Sequence, residues 1–503
     1  MKRYRLFLLL FFSMNIVYPK DYIIQSESSE IREVFFPSSD NRRIGEITNK
    51  QLKIDIDYFC YYLKYAYADY TSMLEKGFSC QSFKDYFLKK YKSCENIDTK
   101  KLIKDFSSYL SEYICDGHFS ISGDFDRDIN YITKKNCIFF TNTYFQKMDG
   151  DFYLFDTDSV ELIKNKKYFI SEDNLFYYPQ KGESVYRLGV LSNININKFE
   201  FIIDNEMVSL AVYDDGCIDS GFGLKYHEME TDNTGYVSIS SFFLPEKKSY
   251  NRKGSEIIFN KFLSLPNKWR DKKTIIIDLR CNKGGEINCI ETFLYNLAFS
   301  QSEKFNDFNS CIDSFFENNY LEKTICDSFP IQAAKMNFIN TYKIPNYKRH
   351  KKDSLRKIKE HKKNPQIIQW KRKIDKKSEI KTQFHEKLVF LCDRNSISAA
   401  EFFILLAKYI FGQENVVVIG ENSFGSLRVG EIYNYLLPES KIFLQLGAEK
   451  LDFIYDFQEW HGDGNGIFPD YWSKGEDLNE TIFLVTQDEE MKAKLHGIES
   501  RLK

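Results

Sequence analysis

Three continuous apolar runs, Thr274–Leu279, Lys387–Cys392 and Val416–Ile419, constrain this chain most. Each is short and followed at once by a polar or glycine-rich turn, and the first and third are rich in β-branched residues. A run that is apolar throughout, not only at alternate positions, reads as a strand buried on both faces. That is the signature of a parallel sheet covered by helices. The stretches between supply the helices: Ser255–Leu265, a segment through Ile290, Phe293, Leu294 and Leu297, and a helix from about Ser398 to Ile410. Tyr236–Phe243 adds a strand. Ile432–Leu437 and Ile442–Leu446, joined through Pro438-Glu439-Ser440, read as a hairpin. The expectation is an α/β core over residues 233–300 and 383–475.

A chain of 503 residues has room for further domains. Residues 48–122 are expected to be a helical domain. Leu102, Ile103, Phe106, Leu110 and Ile114 recur at the helical period, after a cap at Asp98 or Thr99. Residues 123–232 alternate short aromatic and β-branched runs with Gly, Asp and Asn turns, as in Gly150–Asp158 and Val185–Val190, and read as a small β-rich module. Residues 301–382 interrupt the core. Their second half, Lys348–Lys381, is dense in Lys and Arg with little apolar periodicity, so an insertion outside the core is expected. Its plain reading is a solvated basic face; its sharper reading is a contact for anionic lipid, cell-wall polymer or acidic protein. Residues 476–503 form a C-terminal segment.

At the N-terminus, Lys2, Arg3 and Arg5 precede an apolar run from Leu6 to Val17. The run is too short for a spanning helix, which needs about 20 residues. Residues 1–20 therefore read as a signal peptide and 21–47 as a linker, predicting an exported protein of the periplasm, cell envelope or medium. A buried N-terminal helix is the alternative. The formal net charge of −2 gives no reason to expect a nucleic-acid partner. The eleven cysteines show no CxxC and no paired Cys/His spacing, so no structural metal is expected. Export would permit disulfides, with a pairing that sequence does not fix.

Four short segments could carry chemistry. Asp278-Leu279-Arg280-Cys281-Asn282-Lys283-Gly284-Gly285 follows a buried strand, and its glycines let backbone N–H groups come close to a ligand. Asn395-Ser396-Ile397-Ser398-Ala399-Ala400-Glu401 sets a hydroxyl at a helix N-terminus, where N–H groups and the helix dipole favour an oxyanion. Ser398 and Glu401 also form a Ser-x-x-Glu capping box, which by itself is sufficient reason for a serine there. Gly420-Glu421-Asn422-Ser423-Phe424-Gly425-Ser426 and Gly462-Asp463-Gly464-Asn465-Gly466-Ile467-Phe468-Pro469-Asp470 each read alone as turns.

In this order, the four segments resemble the tail-specific (carboxyl-terminal processing) proteases over roughly residues 235–300 and 385–475. The family's Asp-Leu-Arg-x-Asn-x-Gly-Gly, Ser-x-Ser-x-x-Glu, Gly-Glu-x-Thr-Phe-Gly-Lys and Gly-Ile-x-Pro-Asp match Asp278–Gly285, Ser396–Glu401, Gly420–Ser426 and Gly466–Asp470. The resemblance implies a crotonase-like α/β core and a serine peptidase that needs no cofactor and acts on peptide or protein substrates. It makes Ser398 the nucleophile and assigns the oxyanion hole to Ala399 N–H with Gly284 or Gly285 N–H. Glu401 and Ser423 fall at positions that matter in the family. Many members carry a peptide-binding PDZ module where the β-rich module stands here; no carboxylate-binding loop is legible in it.

One departure matters. Where the processing peptidases have a lysine as general base, this chain has Ser426, whose hydroxyl is not basic near neutral pH. Arg428 cannot substitute, because a guanidinium stays protonated. Cys115-Asp116-Gly117-His118-Phe119 resembles the segment that supplies a histidine base in the tricorn-like branch. That branch also uses a carboxylate just before its Pro-Asp motif, where Asp463 stands here. Its histidine follows a serine that bridges to the acid; here that residue is Gly117. The resemblance thus points to Ser398, His118 and Asp463, with His461 as a rival base. Two alternatives stand beside a peptidase: an inactive homologue binding peptide or envelope ligands, and an acyl-CoA enzyme of the crotonase class.

Overall fold

The computed structural model describes residues 44–123, 130–131, 133–157, 161–180, 183–214, 224–243, 252–299, 321–328, 330–335, 347–361, 368–372, 384, 386–451, 454, 457–475 and 477–502. The predicted signal peptide and most of the predicted linker lie outside them. Among the described residues, no helix is long and apolar enough to cross a membrane.

Early among the described residues stand helices α1 (Asn49–Ala66), α2 (Cys80–Lys90) and α3 (Thr99–Leu110). The α3 cap is Asp98, whose carboxylate accepts from Lys100 N at 3.0 Å. Leu102, Phe106 and Leu110 are fully buried, so the 3.6-residue spacing does set the inward face. They pack on Leu52, Phe59, Phe83 and Phe87, with Phe87 and Phe106 edge to face at 4.6 Å. A five-stranded antiparallel sheet follows: Cys137–Met148, Asp151–Asp156, Glu161–Tyr168, Leu175–Tyr177 and Tyr186–Ser192. Beside it stands the hairpin Lys198–Ile203/Glu206–Ala211.

The core contains β1 (Tyr226–Glu230), β2 (Thr234–Ile239), α4 (Arg252–Lys268), β3 (Thr274–Asp278), α5 (Ile287–Ala298), β4 (Lys387–Cys392), α6 (Ala399–Phe411), β5 (Val416–Gly420), β6 (Val429–Leu436), β7 (Phe443–Leu451) and β8 (Tyr471–Trp472). Its six-stranded sheet runs β1-β2-β3-β4-β5-β8, parallel from β2 onward. Successive side chains alternate between the two faces. Val237, Ile275, Ile277, Leu388, Phe390 and Val418 pack under α4, α5 and α6. Tyr236, Ile276, Val389, Leu391 and Ile419 pack under the C-terminal helices Asp477–Thr486 and Glu489–Leu502. Both faces are covered, which is why these strands are apolar at nearly every position.

β3, β4 and β5 are neighbours and point the same way. The turns at their carboxyl ends are the first three motifs, so adjacency in the sheet brings them together, as in other open parallel sheets. A second sheet brings the histidine. Ser120–Ser122 pairs antiparallel with β7, which pairs with β6, whose first residue lies just past the third motif. Residues 301–382 also reach this sheet: Leu321–Ile325 pairs with β7 and Ile368–Arg372 pairs with Leu321–Ile325. The basic stretch Tyr347–His361 is helical. Asp327 holds it polarly, accepting from Lys357 Nζ at 2.8 Å and lying 3.3 Å from His361 Nε2. That attachment leaves little apolar periodicity to read.

Candidate active site

Ser398 occupies the sharp turn from β4 into α6 with φ +58° and ψ −111°. A side chain rarely adopts such a φ, and the strain persists only where surroundings enforce it. Here both neighbouring motifs clamp the turn. Asp393 Oδ1 accepts from Cys281 N and Asn395 N, each at 2.9 Å. Ser396 Oγ donates to Leu279 O at 2.8 Å, Ile397 N donates to Asn282 O at 2.9 Å, and Phe424 N donates to Ser396 O at 3.0 Å. Ser398 itself is only partly buried.

Glu401 is more than a helix cap. Its buried carboxylate accepts from Ser398 N at 2.8 Å, Ser423 Oγ at 2.6 Å, Gly425 N at 2.7 Å and Ser426 N at 3.0 Å. Ser398 N and Ser426 N share one oxygen, Oε2. Burial pushes the carboxyl up to about 7, against the four donors that pull it down. Ser423 also accepts from Ile467 N at 2.6 Å, tying the fourth motif to the third.

The oxyanion donors sort themselves. Gly284 N donates to Asn282 Oδ1 at 2.9 Å, so it is already committed and is not a free donor. Gly285 N and Ala399 N have no acceptor among the described residues. Gly284 serves by close approach: with φ +74°, an added Cβ would lie 3.0 Å from Ser398 Cβ and 2.7 Å from Ile397 O. Asn282 is therefore a supporting residue that motif reading passed over. Its signal was its fixed place inside the Asp-Leu-Arg-x-Asn segment.

The structure also accounts for the missing lysine. A Cβ at Gly117 would lie 2.7 Å from Ser426 Cβ and 2.8 Å from Gly425 O. The Asp-Gly-His segment thus fills the space into which a longer side chain at position 426 would extend. It equally leaves no room for a serine at 117. Gly117 and Ser426 are a matched pair of small residues, and His118 follows immediately. The imidazole is partly buried and lies beside the backbone of Val429. Desolvation pushes its pKa down to about 4, so it is neutral near pH 7.

Asp463 does not meet His118 in a hydrogen bond here. Its Oδ2 accepts from Arg428 Nε at 2.7 Å, and Arg428 Nη2 donates to Asp69 Oδ2 at 2.7 Å. Removing either partner of such a buried pair would strand a charge, so Arg428 keeps Asp463 committed. Burial raises Asp463 to about 6 despite Arg428. Asp116 is raised to about 8 by burial and by the charge of Asp463. Its Oδ1 accepts from His118 N at 2.7 Å. His461 is exposed and stacks on Phe468 at 3.7 Å. Among the described residues, no cluster of His, Cys, Asp and Glu could hold a metal ion.

Residues 233–471 match the sequence model of peptidase family S41. With the four ordered motifs converging as described, residues 233–471 form a domain of that family, the tail-specific proteases. It is a serine-type peptidase. No curated protein matches the sequence. Among solved structures, mature CPAF complexed with lactacystin is similar at 12% identity and a TM-score of 0.41, over 90% of this chain and 99% of that one. A putative peptidase from Parabacteroides merdae is similar at 14% identity and a TM-score of 0.37, over 88% and 96%. The photosystem II D1 C-terminal processing protease is similar at 12% and 0.32, over 88% and 98%.

Proposed function

We propose that this peptidase is an exported endopeptidase that cleaves peptide bonds in protein substrates through an acyl-enzyme, with Ser398 as nucleophile and His118 as base. One observation carries the reading. Ser398 N and Ser426 N share Glu401 Oε2, and Gly117 abuts Ser426, which supports a place for the next residue, His118, in the neighbourhood of the Ser398 turn.

The chemistry follows from the groups present. Neutral His118 takes the Ser398 proton as Oγ bonds to the carbonyl carbon. The carbonyl electrons move onto oxygen, where Ala399 N–H and Gly285 N–H receive them. Collapse expels the amine, which takes the proton back from His118. Water then repeats the cycle on the acyl-enzyme. Asp463, paired with Arg428, acts on Asp116, whose Oδ1 accepts from the His118 backbone N–H, and so bears on the base only through that loop. The basic helix Tyr347–His361 turns Lys351, Lys352, Arg356 and Lys359 to solvent, which suits contact with an anionic surface.

A fluorophosphonate probe tests the nucleophile. The expected result is one adduct, on the peptide containing Ser398, lost in Ser398→Ala. An adduct that persists in that variant overturns the assignment. Export is tested by the N-terminus of the protein recovered outside the cytoplasm, expected near residue 21; an intact Met1 there contradicts it. The inactive-homologue reading draws on the Asp463–Arg428 pairing, and it gains if the folded wild type takes no label.

A further inference from the structure

The helical domain brings two partly exposed cysteines close together. Cys60 lies on α1, and Cys80 is the first residue of α2. Cys60 Sγ lies 3.9 Å from Cys80 O, so the two cysteines are neighbours across the contact between α1 and α2. Tyr70 Oη lies 3.5 Å from Cys80 Sγ. Both cysteines are partly exposed, whereas Cys281, Cys289, Cys326 and Cys392 are buried.

The two thiols are not equivalent. Cys80 follows the cap residue Ser79, so its sulfur sits at the positive end of an eleven-residue helix. Lys64 adds positive potential there. These are the surroundings that turn a thiol into a thiolate nucleophile. Cys60 sits within α1, near Asp57 and Cys80, which hold it in the thiol form. One attacking sulfur beside one resolving sulfur is the arrangement that thiol–disulfide exchange requires.

We infer that Cys60 and Cys80 form a disulfide when the folded protein meets a low-molecular-weight disulfide such as oxidised glutathione. The Cys80 thiolate attacks one glutathione sulfur, and the other leaves as thiolate. Cys60 loses its proton and attacks Cys80 Sγ, releasing the second glutathione thiolate. In sum, two protein thiols are oxidised to one disulfide and the reagent is reduced to two thiols. The bridge would join α1 to α2 and close the loop that carries Asp69, whose carboxylate holds Arg428 at 2.7 Å. This inference is independent of the proposed catalytic roles.

The test treats the folded, full-length wild type with oxidised glutathione, traps remaining thiols by alkylation, and maps peptides without reduction. The expected product joins the Cys60 and Cys80 peptides, lighter by two hydrogens than the reduced pair. In Cys60→Ser, Cys80 is expected to keep a glutathione adduct, because no resolving sulfur remains. Alkylation of both cysteines in the treated wild type overturns the inference, as does Cys80 joined to any other cysteine.

Discussion

On the nucleophile side of the catalytic centre, Glu401 gathers four donors and every clamp on the Ser398 turn is met; on the base side, Tyr67 Oη, Asp116 Oδ2, His118 Nδ1 and Ser426 Oγ are buried with no partner among the described residues. A buried polar atom left unmet costs about 1–3 kcal/mol, so such groups are rarely idle. The contrast separates two jobs. The turn that carries the proposed nucleophile is held by a full set of hydrogen bonds, the kind of fixed setting in which dipoles contribute most. The base side keeps its polar atoms uncommitted, free to take up a proton or a solvent molecule as charge moves.

The comparison can be broken most severely at Glu401. Glu401→Ala removes the acceptor for four bonds at once. It is expected to lower kcat by roughly 10³-fold, comparable to losing an oxyanion donor, and stability by about 3 kcal/mol. Steady-state kinetics and thermal melting check both. An active, stable variant would show that the nucleophile turn is not held by this carboxylate.

The small-residue pair on the base side gives the next largest effect. Gly117→Ser is expected to cost about 1–3 kcal/mol through overpacking against Ser426. Adding Ser426→Gly should return part of it, with a coupling of about 0.5–3 kcal/mol in the double-mutant cycle. Ser426→Lys is expected not to create a Ser–Lys dyad, because the Gly117 loop holds that space; a peptidase that survives His118→Ala once Ser426→Lys is present would contradict this.

A third effect is electrostatic. Asp116 titrates near 8 when folded and near the ordinary carboxylate value when unfolded. Between those values the native state binds the extra proton, so stability falls as pH rises from about 4 to about 8. Asp116→Asn cannot titrate, and its melting temperature should drop less than that of the wild type between pH 5 and pH 8. Equal slopes would mean that Asp116 is already ionised in the native state.

The parallel core was legible because burial on both faces leaves an uninterrupted apolar run, as in Ile275–Ile277 and Leu388–Leu391. The convergence of the first three motifs then followed from strand adjacency. What stayed hidden were polar partners between distant segments, which no local period encodes. Glu401 showed its cap to Ser398 but not its bonds to Ser423, Gly425 and Ser426. Asp463 looked like the acid for His118, whereas an arginine 35 residues earlier claims it. The strands Leu321–Ile325 and Ile368–Arg372 escaped notice because lysine and arginine masked their alternation.

The central claim is that the His118 imidazole activates the Ser398 hydroxyl across this divided centre. The rate of fluorophosphonate labelling of His118→Ala, with and without added imidazole, tests it most directly. The expected result is a fall of about 10²–10⁴-fold from the wild-type rate, recovered in part by free imidazole entering the vacated site. A variant that labels Ser398 as fast as the wild type, indifferent to imidazole, would contradict the account.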